Sequence, residues 1–219
     1  MAMTFPRILP VGDAALVVEF GDAIHPDIHR RVLALDGALA ADPFPGLRET
    51  VPTYRSLLVY YDPRQLSWDE ARRQVADALA RSTDIPMPEP REVEIPVVYG
   101  GEFGPDIGFV AAHTGLSEEE VVRLHTSVTY TVYMLGFAPG FVYLGGLPEA
   151  LATPRLPTPR PSVPAGSVGI AGLQTGIYGL STPGGWRLIG RTPLTMLDLN
   201  RQPPTLLQPG DRVRFVRIG

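Results

Sequence analysis

The side chains best suited to chemistry in this sequence are four arginines within one stretch rich in Gly and Pro, residues 136–193. They are Arg155, Arg160, Arg187 and Arg191. Two of them directly follow a proline, which fixes φ and stiffens the backbone that carries the arginine. A guanidinium group held in this way is suited to bind a carboxylate or a phosphate through two parallel hydrogen bonds. For each arginine alone a solvated surface position is the ordinary alternative, but the clustering predicts that at least one contacts an anion.

The histidines offer two further candidates. His125 lies where a predicted helix runs into a predicted strand, just before the Gly/Pro-rich stretch. It fits either an acid–base or anion site, or a histidine near a helix C-terminus, where positive charge is favoured. His25 and His29 are four residues apart on one helix face, a spacing that can bind a metal ion. Without a third ligand we expect a solvated helix start there, and we predict no metal site.

Polar groups in the Gly/Pro-rich stretch add possible ligand contacts. The side chains of Ser162, Ser167 and Gln174 can form hydrogen bonds. The segment 166–169 predicts a tight turn whose backbone amides are available to an oxyanion, with an ordinary turn as the alternative. The sequence contains neither a G-x-S-x-G nucleophile elbow nor an H-E-x-x-H motif, so it identifies no nucleophile.

The composition excludes several classes of function. The 219 residues include no cysteine and no lysine, so all 19 basic residues are arginines. This rules out thiolate chemistry, a P-loop lysine, a Schiff base and a biotin attachment lysine on this chain. The net charge of −4 makes nucleic acid an unsuitable partner. No apolar run reaches the ~18 residues of a membrane helix, and the first residues do not resemble a secretory signal, so we expect a cytoplasmic protein.

Two groups of elements must position these side chains. Residues 1–84 predict an α+β domain with the order ββαββα, in which two helices cover one side of a sheet. Its helices are expected at 26–41 and after Ser67, where Ser67 and Glu70 form a capping box. Alternating prolines in residues 85–90 predict an extended linker.

Residues 91–219 predict a closed β-barrel. We expect a strand at 92–98, a helix capped by Asp106, and a second helix that begins with a capping box at Ser117. A strand at 128–135 leads into the Gly/Pro-rich stretch. After Pro193 the pattern predicts short strands, of which the last, 211–218, places Val213 and Phe215 on its inner face.

Long, ordered motifs in this half resemble one known family. They read GFAPGFVYLGGLP (136–148), PR…PR (154–160), VPAGSVGIAG-QTGIY (163–178), PGGWRLIGRTP (183–193) and LLQPGDRVRF (206–215). They are similar to the KipI family, also called allophanate hydrolase subunit 1 or the 5-oxoprolinase B subunit, whose barrel is carboxyltransferase subdomain C-like. Gly179 departs from the family pattern, which commonly has a proline after the tyrosine. The resemblance implies a small two-layer α+β domain followed by a cyclophilin-like β-barrel.

The resemblance also implies a function within a complex. Together with the 5-oxoprolinase C subunit (allophanate hydrolase subunit 2) and the A subunit, which is of the LamB/YcsF type, such a chain would open 5-oxo-L-proline to L-glutamate. ATP with Mg²⁺ would be hydrolysed in the complex, and the chain alone is expected to be inactive. The family alternative is a KipI-like inhibitor of a sensor histidine kinase, which binds protein. Prolyl isomerisation is less favoured because a fold does not determine a function. Allophanate hydrolysis is disfavoured because the chain has no lysine for an amidase site.

The predicted site combines both lines of inference. The catalytic candidates are His125, Arg155, Arg160, Gln174, Arg187 and Arg191. The candidates for binding substrate or anion are Gly136, Phe137, Pro139, Gly140, Phe141, Gly166, Ser167, Val168, Gly184, Gly185 and Trp186. We expect part of this site to lie at the interface with the C subunit.

Overall fold

A computed structural model describes residues 4–82 and 89–219. The chain divides between Glu89 and Pro90 into two compact units, and each unit is described by itself. The predicted boundary at residue 84 and residues 85–88 of the predicted linker lie outside the described residues. No helix in the described ranges is both long and apolar enough to cross a membrane.

The first unit is a four-stranded antiparallel sheet with two helices. Its elements are β1 Arg7–Val11, β2 Ala15–Glu19, α1 Pro26–Ala41, β3 Leu47–Pro52, β4 Ser56–Tyr61 and α2 Trp68–Ser82. The strand order is β1-β2-β4-β3. Alternate residues of the central strands, such as Leu16, Val18 and Val59, are fully buried and pack against Leu35 and Val75 of the helices. The predicted ββαββα order and two-layer arrangement are confirmed.

The two histidines of α1 have different environments. His25 is the N-cap residue, and its Nδ1 accepts a hydrogen bond from the Asp27 amide at 3.2 Å. His29 is 2% exposed because it falls on the apolar stripe of the helix with Val32 and Leu35. The prediction of a solvated helix start is therefore wrong for His29. Among the described residues, no group of three or more His, Asp or Glu side chains is placed to hold a metal ion.

The second unit is built on a closed seven-stranded barrel. Its elements are β5 Glu92–Tyr99, α3 Ile107–Thr114, α4 Glu118–Thr126, β6 Tyr130–Leu135, β7 Val142–Gly145, the 3-10 helix Glu149–Leu151, β8 Arg160–Val163, β9 Ser167–Ala171, β10 Gln174–Ile177, β11 Thr182–Gly184, β12 Arg187–Arg191 and β13 Arg212–Arg217. The order around the barrel is β10-β7-β6-β13-β5-β12-β9, and β8 pairs with β11 in a separate two-stranded sheet. The predicted α+β fold with a barrel is confirmed.

The last strand shows how the sequence pattern closes the barrel. Val213 and Phe215 are buried, whereas Arg212 and Arg214 are exposed, as the alternation predicts. The prediction of several short strands after Pro193 is wrong, since β13 is the one strand that forms within 193–219. A single bridge between Leu197 and Thr205 stands in their place. Prolines in this segment remove the backbone donors that a longer ladder needs.

Helix starts follow the capping predictions with one exception. Both capping boxes form, at Ser67 with Glu70 and at Ser117 with Glu120. Asp106 occupies the N-cap position of α3, but its side chain does not cap that helix. Its carboxylate instead accepts hydrogen bonds from the Leu188 amide at 2.7 Å and from Arg160 Nη2 at 2.9 Å. Asp106 therefore ties α3 to two strands.

Candidate functional site

The Gly/Pro-rich stretch forms a pocket walled mainly by aromatic and proline side chains, which we call the aromatic pocket. Its volume is about 300 Å³. Its lining residues are Phe137, Tyr143, Arg155, Leu156, Pro159, Tyr178, Pro183, Gly184, Gly185 and Trp186. Five of the predicted site residues thus meet in one place, namely Phe137, Arg155, Gly184, Gly185 and Trp186.

A cluster of aromatic rings forms the base of this pocket. The buried Phe141 lies at its centre, with ring centroids 4.7 Å from Tyr143, 4.8 Å from Tyr178 and 5.3 Å from Trp186. The contacts with Tyr178 and Trp186 are edge-to-face, at 90° and 77°. Such pairs add stabilisation beyond the area they bury, so they hold the pocket walls in fixed positions. Phe141, predicted to contact ligand, supports the rings that do line the pocket.

Phe137 stands at the pocket in a strained backbone conformation. Its φ is 67°, the one positive value at a residue other than glycine in the described chain. The Ala138 amide donates to the Gly136 carbonyl at 2.8 Å, which closes a three-residue turn around Phe137. Turns of this kind with positive φ are rare and costly, and such strain tends to occur at functional sites. The turn leaves the Phe137 ring 66% exposed, available to cover a ligand.

Arg155 supplies the charge of the aromatic pocket. Its guanidinium carbon lies 5.9 Å from the centre of the Trp186 ring. No described carboxylate lies within ion-pair distance of it. The segment that carries it is held on both sides, because Arg187 Nε donates to the Pro154 carbonyl at 3.2 Å and the Leu156 amide donates to the Gly185 carbonyl at 2.8 Å. An exposed guanidinium that has no ionic partner and is carried on a held backbone segment is suited to bind an anion.

Tyr178 forms part of the pocket wall and is fully buried. Its hydroxyl proton has no acceptor among the described residues. Burial raises the pKa of Tyr178, while the Trp186 backbone amide and the guanidinium groups of Arg155 and Arg160 act in the opposite direction. The tyrosine is therefore protonated at neutral pH and has a hydrogen to donate.

Arg160 and Arg187 are engaged within the protein. Arg160 forms an ion pair with Asp106 at 2.9 Å. Arg187 is 7% exposed, and its guanidinium carbon lies 3.5 Å from the centre of the Phe109 ring. Because successive side chains of an extended chain point to opposite sides, Trp186 lines the pocket and Arg187 faces α3. The structure thus separates Arg155 from Arg187, and Arg187 contributes by holding the Arg155 segment.

Arg191 belongs to a second pocket of about 380 Å³, which we call the Arg191 pocket. Its lining residues are Val98, Phe103, Ala165, Gly166, Gly179, Arg191, Thr192, Pro193, Leu194, Thr195 and Met196, with no acidic side chain among them. Arg191 Nε donates to the Ala165 carbonyl at 2.9 Å, which orients the guanidinium. The adjacent residues Tyr178 and Gly179 line one pocket each, so the two pockets share that backbone segment.

The turn at 166–169 does not present free amides to an oxyanion. The Gly166 amide donates to the Tyr178 carbonyl at 2.7 Å, and the Ser167 amide to the Pro164 carbonyl at 3.3 Å. Ser167 and Val168 are buried and begin β9, where they pair with neighbouring strands. The segment therefore forms an ordinary turn and not an oxyanion site, because backbone carbonyls already accept hydrogen bonds from these amides.

His125 lies in the interior of the barrel, away from both pocket linings. It is 0% exposed, and its ring nitrogens bond the Tyr99 hydroxyl at 2.8 Å and the Thr175 hydroxyl at 2.9 Å. Burial lowers the pKa of His125 to about 3, so the ring is neutral at physiological pH. Of the two interpretations of this histidine, the geometry favours the satisfied structural one.

The remaining predicted residues support the site or lie outside it. Gln174 begins β10 and lines neither pocket. Gly136 and the exposed Pro139 belong to the loop that carries Phe137. Gly140, with φ of 73°, packs against Gly179, where a Cβ would overlap the Gly140 backbone. Glycine at position 179 therefore permits a close backbone contact between the two loops.

Comparison with known proteins places this chain in a family. Residues 6–207 match the family described as carboxyltransferase domain, subdomain C and D. The chain belongs to this carboxyltransferase domain family. It is 49% identical to the 5-oxoprolinase B subunit of Bacillus subtilis (strain 168), over 97% of this chain and 92% of that protein. Against the 5-oxoprolinase B subunit of Escherichia coli O157:H7 the identity is 48%, over 96% of this chain and 95% of that protein.

A solved structure agrees with this family assignment. The structure of TTHA0988 matches with a TM-score of 0.82 and 45% identity, over 94% of this chain and 40% of that chain. This chain therefore spans less than half of that longer protein. The resemblance to 5-oxoprolinase B subunits expected from the sequence motifs is confirmed.

Several residues of this candidate site were not predicted from the sequence. Tyr143 and Tyr178 were visible as recurring aromatics, but nothing in one sequence separates a pocket wall from a core ring. Leu156, Pro159 and Pro183 also line the aromatic pocket, and residues 192–196 line the Arg191 pocket. Their one signal was proximity to Arg155 and Arg191 within the Pro-rich segments.

Proposed function

We propose that this chain is the B subunit of an ATP-dependent 5-oxoprolinase, which opens 5-oxo-L-proline to L-glutamate. The observation that carries the proposal is near full-length similarity to two proteins named as B subunits of 5-oxoprolinase, at 48% and 49% identity. The proposed partners are the C subunit (allophanate hydrolase subunit 2) together with the LamB/YcsF-type A subunit, in a cytoplasmic complex.

The aromatic pocket fits a small cyclic acid. The carboxylate of 5-oxo-L-proline would pair with Arg155, the one cation in the pocket lining. The five-membered ring would lie beside the side chains of Tyr143 and Trp186, whose rings meet edge to face with centroids 5.8 Å apart. An apolar wall with one charged group is the usual composition of a small-molecule site, in which the charge sets the orientation of the ligand.

Ring opening needs activation, because a five-membered lactam is a poor acyl donor. ATP, bound with Mg²⁺ in the complex, would supply a phosphoryl group to the amide oxygen. Charge that develops in such a transfer is stabilised by arginines and other preorganised donors. Of this chain's residues, Arg191 fits an anionic group of the nucleotide, since its pocket holds that guanidinium and no acidic side chain.

The test is reconstitution. The chain would be co-expressed with the A and C subunits, and glutamate release from 5-oxo-L-proline measured with and without ATP. We expect a co-purifying complex that releases glutamate only with ATP, and little activity from the chain alone. A complex that forms but releases no glutamate would contradict the enzymatic role. Failure to associate with the C subunit would favour the KipI-like regulatory role, which inhibition of a sensor histidine kinase would then test.

A further inference from the structure

Two buried hydrogen-bond donors beside the aromatic pocket have no acceptor. They are the Tyr178 hydroxyl and Arg160 Nη1, and only Arg201 Nε shares this condition among the buried side-chain atoms of the described residues. Most buried polar atoms in proteins have a partner, because an unsatisfied one keeps the full cost of its removal from water. Two such donors at one place therefore require an explanation.

Both donors belong to residues that neighbour Gly184, and the Arg160 guanidinium is close enough to Tyr178 to oppose the rise that burial causes in its pKa. Gly184 of β11 is the register partner of Arg160 in β8. A Cβ at Gly184 would overlap the Tyr178 hydroxyl, so that hydroxyl lies directly under the Gly184 backbone. Gly184 and Gly185 both line the aromatic pocket. The Tyr178 hydroxyl thus lies beside a glycine of the pocket wall.

Both groups donate hydrogen bonds, so the missing group is an acceptor oxygen. We propose that Tyr178 and Arg160 together receive the ring carbonyl oxygen of a cyclic amide bound in the aromatic pocket. This inference rests on the proposed function and extends it, since Arg155 would hold the carboxylate of the same ligand and the two donors would distinguish a lactam from a ring without a carbonyl.

The position of these donors suits the chemistry of that oxygen. Negative charge on an amide oxygen grows when the oxygen is activated, and donors in a water-excluded site stabilise it more than donors in water. The hydroxyl and Nη1 are already removed from water, so they bear no further desolvation cost when they meet the oxygen. Strand β11 is three residues long, and its pairing with β8 is irregular between Thr182 and Gly184. The proposal requires this short strand to move aside, so that a ligand in the pocket reaches both donors.

The first test is Tyr178→Phe in the reconstituted complex. We expect kcat/KM for 5-oxo-L-proline to fall about tenfold, the worth of one hydrogen bond to an oxygen that gains charge. Cyclopentanecarboxylate has the ring and the carboxylate without the carbonyl, so its inhibition constant should stay unchanged.

The second test is Arg160→Lys, which keeps a cation for Asp106 and removes the second donor. It should lower kcat/KM for 5-oxo-L-proline and leave the inhibition constant of cyclopentanecarboxylate unchanged.

The outcomes separate this inference from the proposed function. An unchanged kcat/KM in Tyr178→Phe would overturn this inference and would leave the proposed function standing. So would an equal loss of affinity for cyclopentanecarboxylate, because the hydroxyl would then maintain the shape of the pocket and would not recognise the ring carbonyl. A wild-type complex that forms but releases no glutamate would remove the proposed function and this inference with it.

Discussion

Arginines that look alike in the sequence have different roles at the scale of single residues. All four candidates have similar Pro- and Gly-rich neighbours, so local sequence did not rank them. The structure gives Arg160 a carboxylate and Arg187 a carbonyl and a ring face, and leaves Arg155 without an ionic partner in the described ranges. Which group each arginine contacts depends on residues distant in the chain, such as Asp106 and Phe109. A single sequence does not reveal such contacts.

Arg155→Met should raise KM for 5-oxo-L-proline about 10- to 100-fold in the reconstituted complex. The reason is the loss of a charged hydrogen-bond partner for the carboxylate, worth about 1.5–3 kcal/mol. Steady-state kinetics would measure the effect. Arg123→Met is the matched control, since Arg123 is exposed on α4 outside both pocket linings, and it should leave KM unchanged. An unchanged KM in Arg155→Met would remove the carboxylate contact from the proposal.

His125 gives a prediction about pH. Its pKa is about 3 in the folded chain against 6.5 for the unperturbed side chain. Between these values the unfolded chain binds a proton that the folded chain does not, so stability rises with pH through this window and is lost as the pH falls. His125→Asn should weaken that dependence. Urea unfolding midpoints at pH 7 and pH 5 would show a smaller difference in the variant, and an equal difference would contradict the burial of the neutral ring.

At the scale of elements, the candidate site depends on how short segments are held. The capping boxes and the alternation of buried and exposed residues in β13 could be predicted from the sequence because they are local patterns. The pairing of Leu156 with Gly185 and the packing of Gly140 on Gly179 join segments about 30 to 40 residues apart. Glycines and prolines signalled that such contacts exist, but they did not indicate which segments meet.

Arg187→Met tests the support of the Arg155 segment. The variant loses the hydrogen bond to the Pro154 carbonyl and the contact with the Phe109 ring, so the free energy of unfolding should fall by about 2 kcal/mol. KM for 5-oxo-L-proline should rise as well, because the Arg155 segment loses one of its two anchors. Denaturant unfolding and steady-state kinetics measure the two effects. A loss of stability with KM unchanged would limit Arg187 to the fold.

At the scale of the whole molecule, composition and periodicity predicted two units of different architecture. Each unit has its own core, one formed by residues such as Leu35 and Val59 and the other by residues such as Ile95 and Phe215. The closed barrel could be expected from many short strands, but its strand order could not, because neighbours such as β5 and β13 are distant in sequence.

A fragment of residues 90–219 should fold alone, since its main core cluster contains no residue from the first unit. We expect one cooperative thermal transition and dispersed amide signals in an NMR spectrum. A fragment without a cooperative transition would show that the barrel requires the first unit.

The place of β13 in the barrel has a consequence for biosynthesis. Strand β13 lies between β5, with which it runs parallel, and β6. While the ribosome is still adding residues, β5 and β6 therefore both present open edges, and the barrel closes only after residue 217 has left the exit tunnel. The unpaired backbone groups of an open strand edge can pair with strands of other chains. Until residues 212–217 have been synthesised and paired, both edges stay open, and a chain truncated before Arg212 would keep them open permanently.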